Sequence, residues 1–131
     1  MIPSGRKLVS YSETFAFGDM TDGGGAAATF SLSHVIPAGA RVAACLSSAI
    51  TGFAGDTSAV ITVGDGTTVD RYNTGTPTVF TTAAAGVDMG VVSGTAFHAA
   101  AKTPVVTITS AADWGSVTAG QITLTLLYYI P

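Results

Sequence analysis

Apolar residues occupy every second position through much of this chain, and turn-forming residues interrupt the pattern at short intervals. The first such stretch is RKLVSYSETFAF, in which Glu13 interrupts a row of apolar residues that share one parity: Val9, Tyr11, Phe15 and Phe17. A period of two is that of a β-strand with one buried face. The chain carries no apolar repeat of helical period that is long enough for a stable helix. The pattern therefore predicts an all-β protein.

The same alternation predicts further strands along the chain. The clearest are Arg41–Ile50, Ala59–Val63, Thr103–Ser110 and Gln121–Ile130. Arg41–Ile50 is small and apolar enough to be buried on both faces. Shorter candidates are Phe30–Ile36, Val69–Tyr72, Thr78–Thr82 and Val87–Ala96. A rhythm of roughly eight strands indicates a β-sandwich or a β-barrel.

Residues 18–28 form a Gly-rich stretch with three successive glycines, which predicts a flexible loop. Phe97–Lys102 is compatible with one helical turn. We find no linker or internal repeat, so residues 1–131 are expected to form a single domain. Residues 1–7 are a possible N-terminal arm, because Pro3 and Gly5 are poor strand formers.

Composition argues against two classes of partner. Charged residues make up 10% of the chain, the formal net charge is −3, and Lys and Arg total 5, whereas nucleic-acid binding relies on basic side chains. The mean hydropathy of +0.50 arises from Ala and short Val/Ile runs, and no apolar stretch approaches the ~20 residues of a membrane span. We therefore expect neither a nucleic-acid nor a membrane partner.

Few residues suit catalysis or metal binding. Glu13 is the sole Glu, so a pair of glutamates for glycoside hydrolysis is impossible. His34 and His98 lie in separate segments without the spacing of metal ligands, and the apolar parity of His34 predicts a core or interface histidine bonded to the backbone. Cys45 lies in an apolar run and is predicted to be a buried, inert thiol. We expect no enzyme activity, cofactor, metal or small-molecule substrate.

Three aspartates fall in or beside Gly-rich turns: Asp56, Asp65 and Asp70. Oxygen-rich turns can gather calcium, but this spacing does not match an EF-hand loop. An Asp in such a turn ordinarily bonds the backbone nearby. The spacing favours turn stabilisation over calcium binding.

Two places combine polar and aromatic side chains. Val69–Tyr72 contains Asp70, Arg71 and Tyr72, which either fix a loop through hydrogen bonds or face a partner protein. Trp114 precedes the last predicted strand, where it is either a plug at the end of the sandwich or an exposed contact or sugar-stacking ring.

Three segments resemble small structural proteins of tailed bacteriophages. They are IPAGARV (Ile36–Val42), TVGDGTTVDRY (Thr62–Tyr72) and GQITLTLLYYIP, the last residues of the chain. The family that these segments resemble most is that of capsid decoration, or cement, proteins. The resemblance spans most of the chain from Ile36 onward, and the Gly-rich segment Asp19–Ala28 departs from it.

The resemblance implies an antiparallel β-sandwich of the jelly-roll type that binds the outer surface of a phage capsid and bridges major capsid subunits. It also implies a homotrimer, located on the virion after assembly in the host cytoplasm. It carries no catalytic residues. The candidate interface residues are Arg6, Lys7, Asp70, Arg71, Tyr72 and Trp114.

Two other classes of function stay open at this stage. A carbohydrate-binding module of a head or tail fibre would use Trp114 and Tyr72 as stacking platforms beside Asp acceptors. A hydrolase such as a depolymerase is the third class, with little in the sequence to favour it.

Overall fold

A computed structural model describes residues 7–80, 89–92 and 97–130. Within these residues the chain forms seven β-strands: β1 (Lys7–Ala16), β2 (Thr21–Asp22), β3 (Ala27–Ser31), β4 (Arg41–Ala54), β5 (Ala59–Gly64), β6 (Val105–Ser110) and β7 (Ala119–Ile130). Short 3-10 helices follow β1 at Phe17–Asp19 and precede β7 at Trp114–Ser116. Residues 1–6, and with them Arg6, lie outside the described residues, as does most of Val87–Ala96.

The strands form two antiparallel sheets around one core. Sheet A has the order β1-β7-β4, and sheet B has the order β2-β3-β6-β5. Alternate residues of each sheet face inward, as a period-two pattern requires. The largest fully buried side chains come from both sheets and from the loops: Phe15, Phe53, Ile61, Tyr72, Ile108, Ile122, Leu124 and Leu126. The prediction of an all-β antiparallel sandwich is confirmed.

The outer faces of both sheets carry hydroxyl groups rather than charges. On sheet A, Ser12 hydrogen-bonds to Thr125 and Thr14 to Thr123, each across 2.7 Å. On sheet B, the strand register places three threonines side by side on the outer face: Thr29, Thr107 and Thr62. The chain's many threonines thus satisfy their polar groups within the pleated surface.

Strand β4 is buried on one face only, so the prediction of burial on both faces was wrong. Its buried residues are Val42, Cys45, Ile50 and Phe53, spaced unevenly because bulges interrupt the pairing with β7. The side chain of Leu46 is 50% exposed. Within the described residues, no third layer covers sheet A. The strand also extends four residues beyond the predicted end, to Ala54.

The Gly-rich segment is more regular than the predicted loop. It contains a 3-10 helix, strand β2 and the beginning of β3, and its glycines form the turn between the two strands. The Asp22 carboxylate accepts a hydrogen bond from the Gly24 N–H at 2.8 Å, and Gly24 has a φ of 89°. The glycines serve a tight turn in which one residue adopts a left-handed conformation.

The second predicted strand was misplaced: β3 covers Ala27–Ser31 rather than Phe30–Ile36. Leu32 and Ile36 are buried as their parity predicts. Their N–H groups, however, donate to the carbonyls of Pro104 and Lys102 outside any regular ladder. The alternating pattern therefore predicted correctly which side chains are buried, but not that they lie in a strand. An irregular segment can bury alternate side chains as well.

Three other local predictions need correction. Val69–Tyr72 forms turns and bends rather than a strand, and Phe97–Lys102 contains isolated bridges at both ends and no helical turn. Thr78 and Phe80 form isolated bridges to Val60 and Phe53 in place of a continuous strand. The described part of Val87–Ala96, residues 89–92, is not in a strand.

Candidate functional site

The turn after β5 folds back sharply on the strand that precedes it. A Cβ added to Gly64 would lie 1.9 Å from the carbonyl oxygen of Thr68, a distance that no side chain tolerates. Asp65 then holds the turn, since its Oδ1 accepts hydrogen bonds from the N–H groups of Thr67 (2.9 Å) and Thr68 (2.8 Å). This confirms the interpretation of Asp65 as a turn-stabilising residue.

Asp65 is also the ionic partner of Arg71. The Asp65 Oδ2 lies 3.8 Å from Arg71 Nη1, so the Asp–Arg pair of this segment joins Arg71 to Asp65 and not to its neighbour Asp70. Burial acts to raise the pKa of Asp65, but the two backbone donors and the guanidinium lower it below its usual value. The Asp65 carboxylate is therefore ionised and already engaged.

Arg71 retains an unused donor. Its Nε is buried and has no hydrogen-bond partner, although 29% of the side chain is exposed. A buried donor without a partner is uncommon, because leaving one unpaired costs roughly 1–3 kcal/mol. The unsatisfied Nε is therefore an internal donor, and the exposed part of the Arg71 side chain is what faces the adjoining space.

Tyr72 lies behind Arg71 and closes the inner side of the loop. Its side chain is buried, and its hydroxyl lies 2.6 Å from Nε2 of His98, with the two rings edge to face. Burial raises the pKa of Tyr72 and lowers that of His98, and the charges of Arg71 and Lys102 lower the pKa of His98 further. The pair is therefore a neutral hydrogen-bonded unit near pH 7.

Asn73 fixes the same loop and was not singled out in the sequence. Its Oδ1 accepts from the Val63 N–H at 2.5 Å, and its Nδ2 donates to the carbonyls of Ile61 (3.2 Å) and Gly75 (3.4 Å). The side chain is fully buried. A buried amide is stable only with such partners, and the sequence signal for it is an amide placed directly after an apolar aromatic residue.

Phe97–Lys102 forms the opposite wall. His98 exchanges backbone hydrogen bonds with the turn before β4, through Gly39 (2.7 Å) and Ala40 (3.0 Å), and Lys102 pairs with Ile36. A cleft of about 340 Å³ lies between this wall and the Asp65 turn. Its lining is Asp65, Thr67, Thr68, Arg71, Phe97, His98, Ala99, Ala100 and Lys102. The sequence did not predict this convergence, because the two walls are distant along the chain.

The chemistry of the cleft favours binding a small anionic group. Arg71 and Lys102 contribute two positive charges, against the single carboxylate of Asp65. The oxygens of Asp65 and the ring of His98 are committed to internal partners. Cationic donors are therefore what the cleft offers to a ligand.

A second histidine–tyrosine pair lies at the edge where β1 meets the segment after β3. His34 Nε2 lies 2.5 Å from the hydroxyl of Tyr128, and its ring stacks on Tyr11 with centroids 4.2 Å apart. The partner of His34 is therefore a side chain and not the predicted backbone group. His34 is half-buried and joins a strand of sheet A to the segment that leaves sheet B.

Glu13, the exception to the apolar parity of β1, belongs to this cluster. Its carboxylate accepts from Tyr11 Oη (2.5 Å), the Ser33 N–H (2.8 Å) and Ser33 Oγ (3.0 Å). Burial acts to raise the pKa of Glu13, but these donors lower it below its usual value. Burial and the neighbouring carboxylate raise the pKa of Tyr11 to about 12. Through its hydrogen bonds with Ser33, Glu13 holds residues 32–34 against β1.

The remaining candidate residues lie in different surroundings. Lys7 is the exposed first residue of β1. Trp114 is 5% exposed and packs against Phe53 with ring centroids 6.4 Å apart, which supports the plug interpretation. Asp70 is half-buried beside the cleft. Burial raises the pKa of Cys45 to about 12, in agreement with the prediction of an inert thiol.

Asp56 behaves as a structural residue. It accepts hydrogen bonds from the N–H groups of Thr57, Ala112 and Asp113, and these donors lower its pKa to about 2. The described residues contain no group of three potential metal ligands. None of the helices in the described part of the chain is long and apolar enough to cross a membrane.

Comparison with known proteins connects this fold to a phage capsid structure. No family model matches the sequence, and no curated protein does either. The structure is similar to a chain of the cyanophage Pam1 capsid asymmetric unit, with a TM-score of 0.64 and 16% sequence identity. The match covers 98% of this chain and 89% of the other. At this identity the likeness shows a shared fold.

Proposed function

We propose that this protein is a structural component of a phage virion that binds the outer surface of the capsid and stabilises it by bridging major capsid subunits. The observation that carries the proposal is the likeness, over nearly the whole chain, to a chain of a phage capsid asymmetric unit. The resemblance of three sequence segments to capsid decoration proteins points to the same function. The trimeric state and the absence of enzyme activity are parts of this proposal.

The surface of sheet A supports the proposal. Its outward positions carry hydroxyl and apolar groups, with Arg41 at one end. Leu8 and Leu46 are 39% and 50% exposed on this face. A protein that cements a shell acts by burying area against its neighbours and needs no catalytic group. We assign sheet A to the shell for this reason.

If sheet A faces the shell, only some of the candidate interface residues can contact it directly. Lys7, Asp70 and Arg71 retain exposed or half-buried side chains, and Lys7 lies at the end of sheet A. Tyr72 and Trp114 are internal, so they act on binding through the fold. Their burial also removes the basis for carbohydrate stacking, because neither ring is open to a sugar. Arg6 stays a prediction outside the described residues.

Co-sedimentation with shells tests the function. The shells are assembled from the major capsid protein encoded in the same genome, and the wild-type chain is expected to sediment with them. Leu46→Asp should abolish co-sedimentation, because it places a charge in the apolar part of sheet A. Thr29→Asp, on the outer face of sheet B, is the matched control and should bind normally.

The two possible failures have different meanings. If the wild-type chain does not bind the shells, the proposed function is wrong. If Thr29→Asp loses binding and Leu46→Asp retains it, sheet B contacts the shell and our assignment of the face is wrong.

A further inference from the structure

The charges of the molecule are separated along the strand direction. At one end lie the first residues of β1 and β4, the last residues of β5 and β7, and the cleft. This end carries every Lys and Arg of the described residues: Lys7, Arg41, Arg71 and Lys102. It also carries Asp65 and Asp70, so the four cations exceed the carboxylates by two. The bridge between Arg41 and Phe97 connects sheet A to the cleft wall. We call this region the basic end.

The opposite end is acidic. It contains the last residues of β1, β4 and β6, and its charged residues are Asp19, Asp22, Asp56 and Asp113. No Lys or Arg of the described residues lies there. Opposite charge at the two ends gives the molecule a polarity that a second copy can match, with the acidic end of one facing the basic end of the next.

The glycine turn lies at the acidic end, where the Gly25 carbonyl accepts a hydrogen bond from the Trp114 N–H at 2.9 Å. Asp22 and Gly23–Gly25 are exposed, and a Cβ added at Gly24 or Gly25 would meet no atom within 4 Å. Asp22 uses Oδ1 to accept from the Gly24 N–H, which leaves Oδ2 for another donor. This narrow tip, Asp22–Gly25, presents a carboxylate on a backbone without bulky side chains.

The cleft at the basic end has the complementary features. It is a concave space of about 340 Å³ lined by Arg71 and Lys102. A carboxylate entering the cleft would accept hydrogen bonds from the exposed parts of these two cationic side chains. The tip and the cleft lie at opposite ends of one molecule, so the tip can fill only the cleft of another copy.

We propose that copies of this chain associate head to tail, with the Asp22–Gly25 tip of one copy inserted into the Arg71–Lys102 cleft of the next. Such a contact is heterologous, so it closes into a ring or continues as a string. Exposed ion pairs contribute modestly, so the contact is weak in dilute solution and is favoured where copies are concentrated. The inference does not require capsid binding.

Disulfide trapping between two cysteine variants tests the contact without altering its charges. Gly25→Cys marks the tip, where φ is not left-handed and the added Cβ is free, and Ala100→Cys marks the cleft. The native Cys45 is buried and does not interfere. After mild oxidation of the mixed purified proteins, we expect the mixed disulfide in at least about tenfold excess over that from Ala111→Cys with Ala100→Cys. Ala111 is exposed at the same acidic end but off the tip.

Adding Asp22→Asn to the tip variant, or Lys102→Gln to the cleft variant, should lower the yield about fivefold. Equal yields from the tip and Ala111 variants would overturn the proposal, as would a yield insensitive to both charge changes. The test contains no capsid, so its failure leaves the proposed function standing, and failure of co-sedimentation leaves this contact standing.

Discussion

The chain contains two histidines, and each lies against the hydroxyl of a buried tyrosine, yet the two histidines differ in burial and in charged neighbours. His34 is half-buried and contacts Tyr128 of β7 and the ring of Tyr11. His98 is buried with Tyr72, and the charges of Arg71 and Lys102 act on it. The first pair connects β7 to the segment after β3, whereas the second supports the floor of a cationic cleft. The same two residue types therefore join two parts of the fold in one place and support a candidate binding site in the other.

The largest expected effect comes from collapsing the turn that forms the cleft. Gly64→Ala places a Cβ where the Thr68 carbonyl lies, so the turn must move. We expect a loss of about 3 kcal/mol or more in the free energy of unfolding, the range of severe backbone or packing changes, measured by chemical denaturation. Gly18→Ala is the control, since its Cβ meets open space and should cost under about 1 kcal/mol. Equal losses would show that the turn is not held by Gly64.

Removing one hydroxyl from each pair compares the two histidines, because both tyrosines are buried. Tyr72→Phe leaves the buried His98 nitrogen without its partner, and we expect about 1–3 kcal/mol of destabilisation. Tyr128→Phe leaves the nitrogen of the half-buried His34 closer to solvent, and we expect about 0.5–1 kcal/mol. Thermal unfolding of both variants measures the difference. A larger loss in Tyr128→Phe would reverse our ranking of the two pairs.

Strands with strict alternation could be predicted from the sequence, and irregular segments could not. Strands β1, β5, β6 and β7 begin and end within two residues of their predicted positions, because the side chains of each alternate between the core and the outer face. The prediction of a strand at Val69–Tyr72 was wrong, because its apolar and aromatic side chains lie in a turn. An alternating pattern does not distinguish such a turn from a strand. Asp65 and Arg71 were both noted from local patterns. Their assembly with His98 and Lys102 depends on long-range pairing around Gly39 and Ile36, which no local pattern encodes.

Glu13→Gln tests the edge pair through its carboxylate. The variant keeps the shape of the side chain but weakens three charge-assisted hydrogen bonds, from Tyr11 and Ser33. We expect about 1 kcal/mol of destabilisation at pH 7, because the group is only partly buried. The pKa of Glu13 is lowered in the folded state, so its contribution is present above the unfolded pKa of about 4.5 and is lost as the pH falls through the folded value. The wild-type and variant unfolding curves should therefore approach each other in acid, and a constant gap would contradict this account.

The smallest expected effect is the response of the cleft pair to mildly acidic pH. Burial and the charges of Arg71 and Lys102 lower the pKa of His98, and the opposing charge of Asp65 does not cancel them. Well above the unfolded pKa of about 6.5, the ring is neutral in both the folded and the unfolded chain, so it adds no pH dependence. As the pH falls through that value, the unfolded chain binds a proton that the folded chain does not bind, and the free energy of unfolding falls until the pH reaches the lowered folded pKa. Chemical denaturation at pH 7.5 and 5.5 measures the slope in a range where the carboxylates stay ionised. His98→Gln should flatten this slope, and an unchanged slope would contradict our account of the cleft pair.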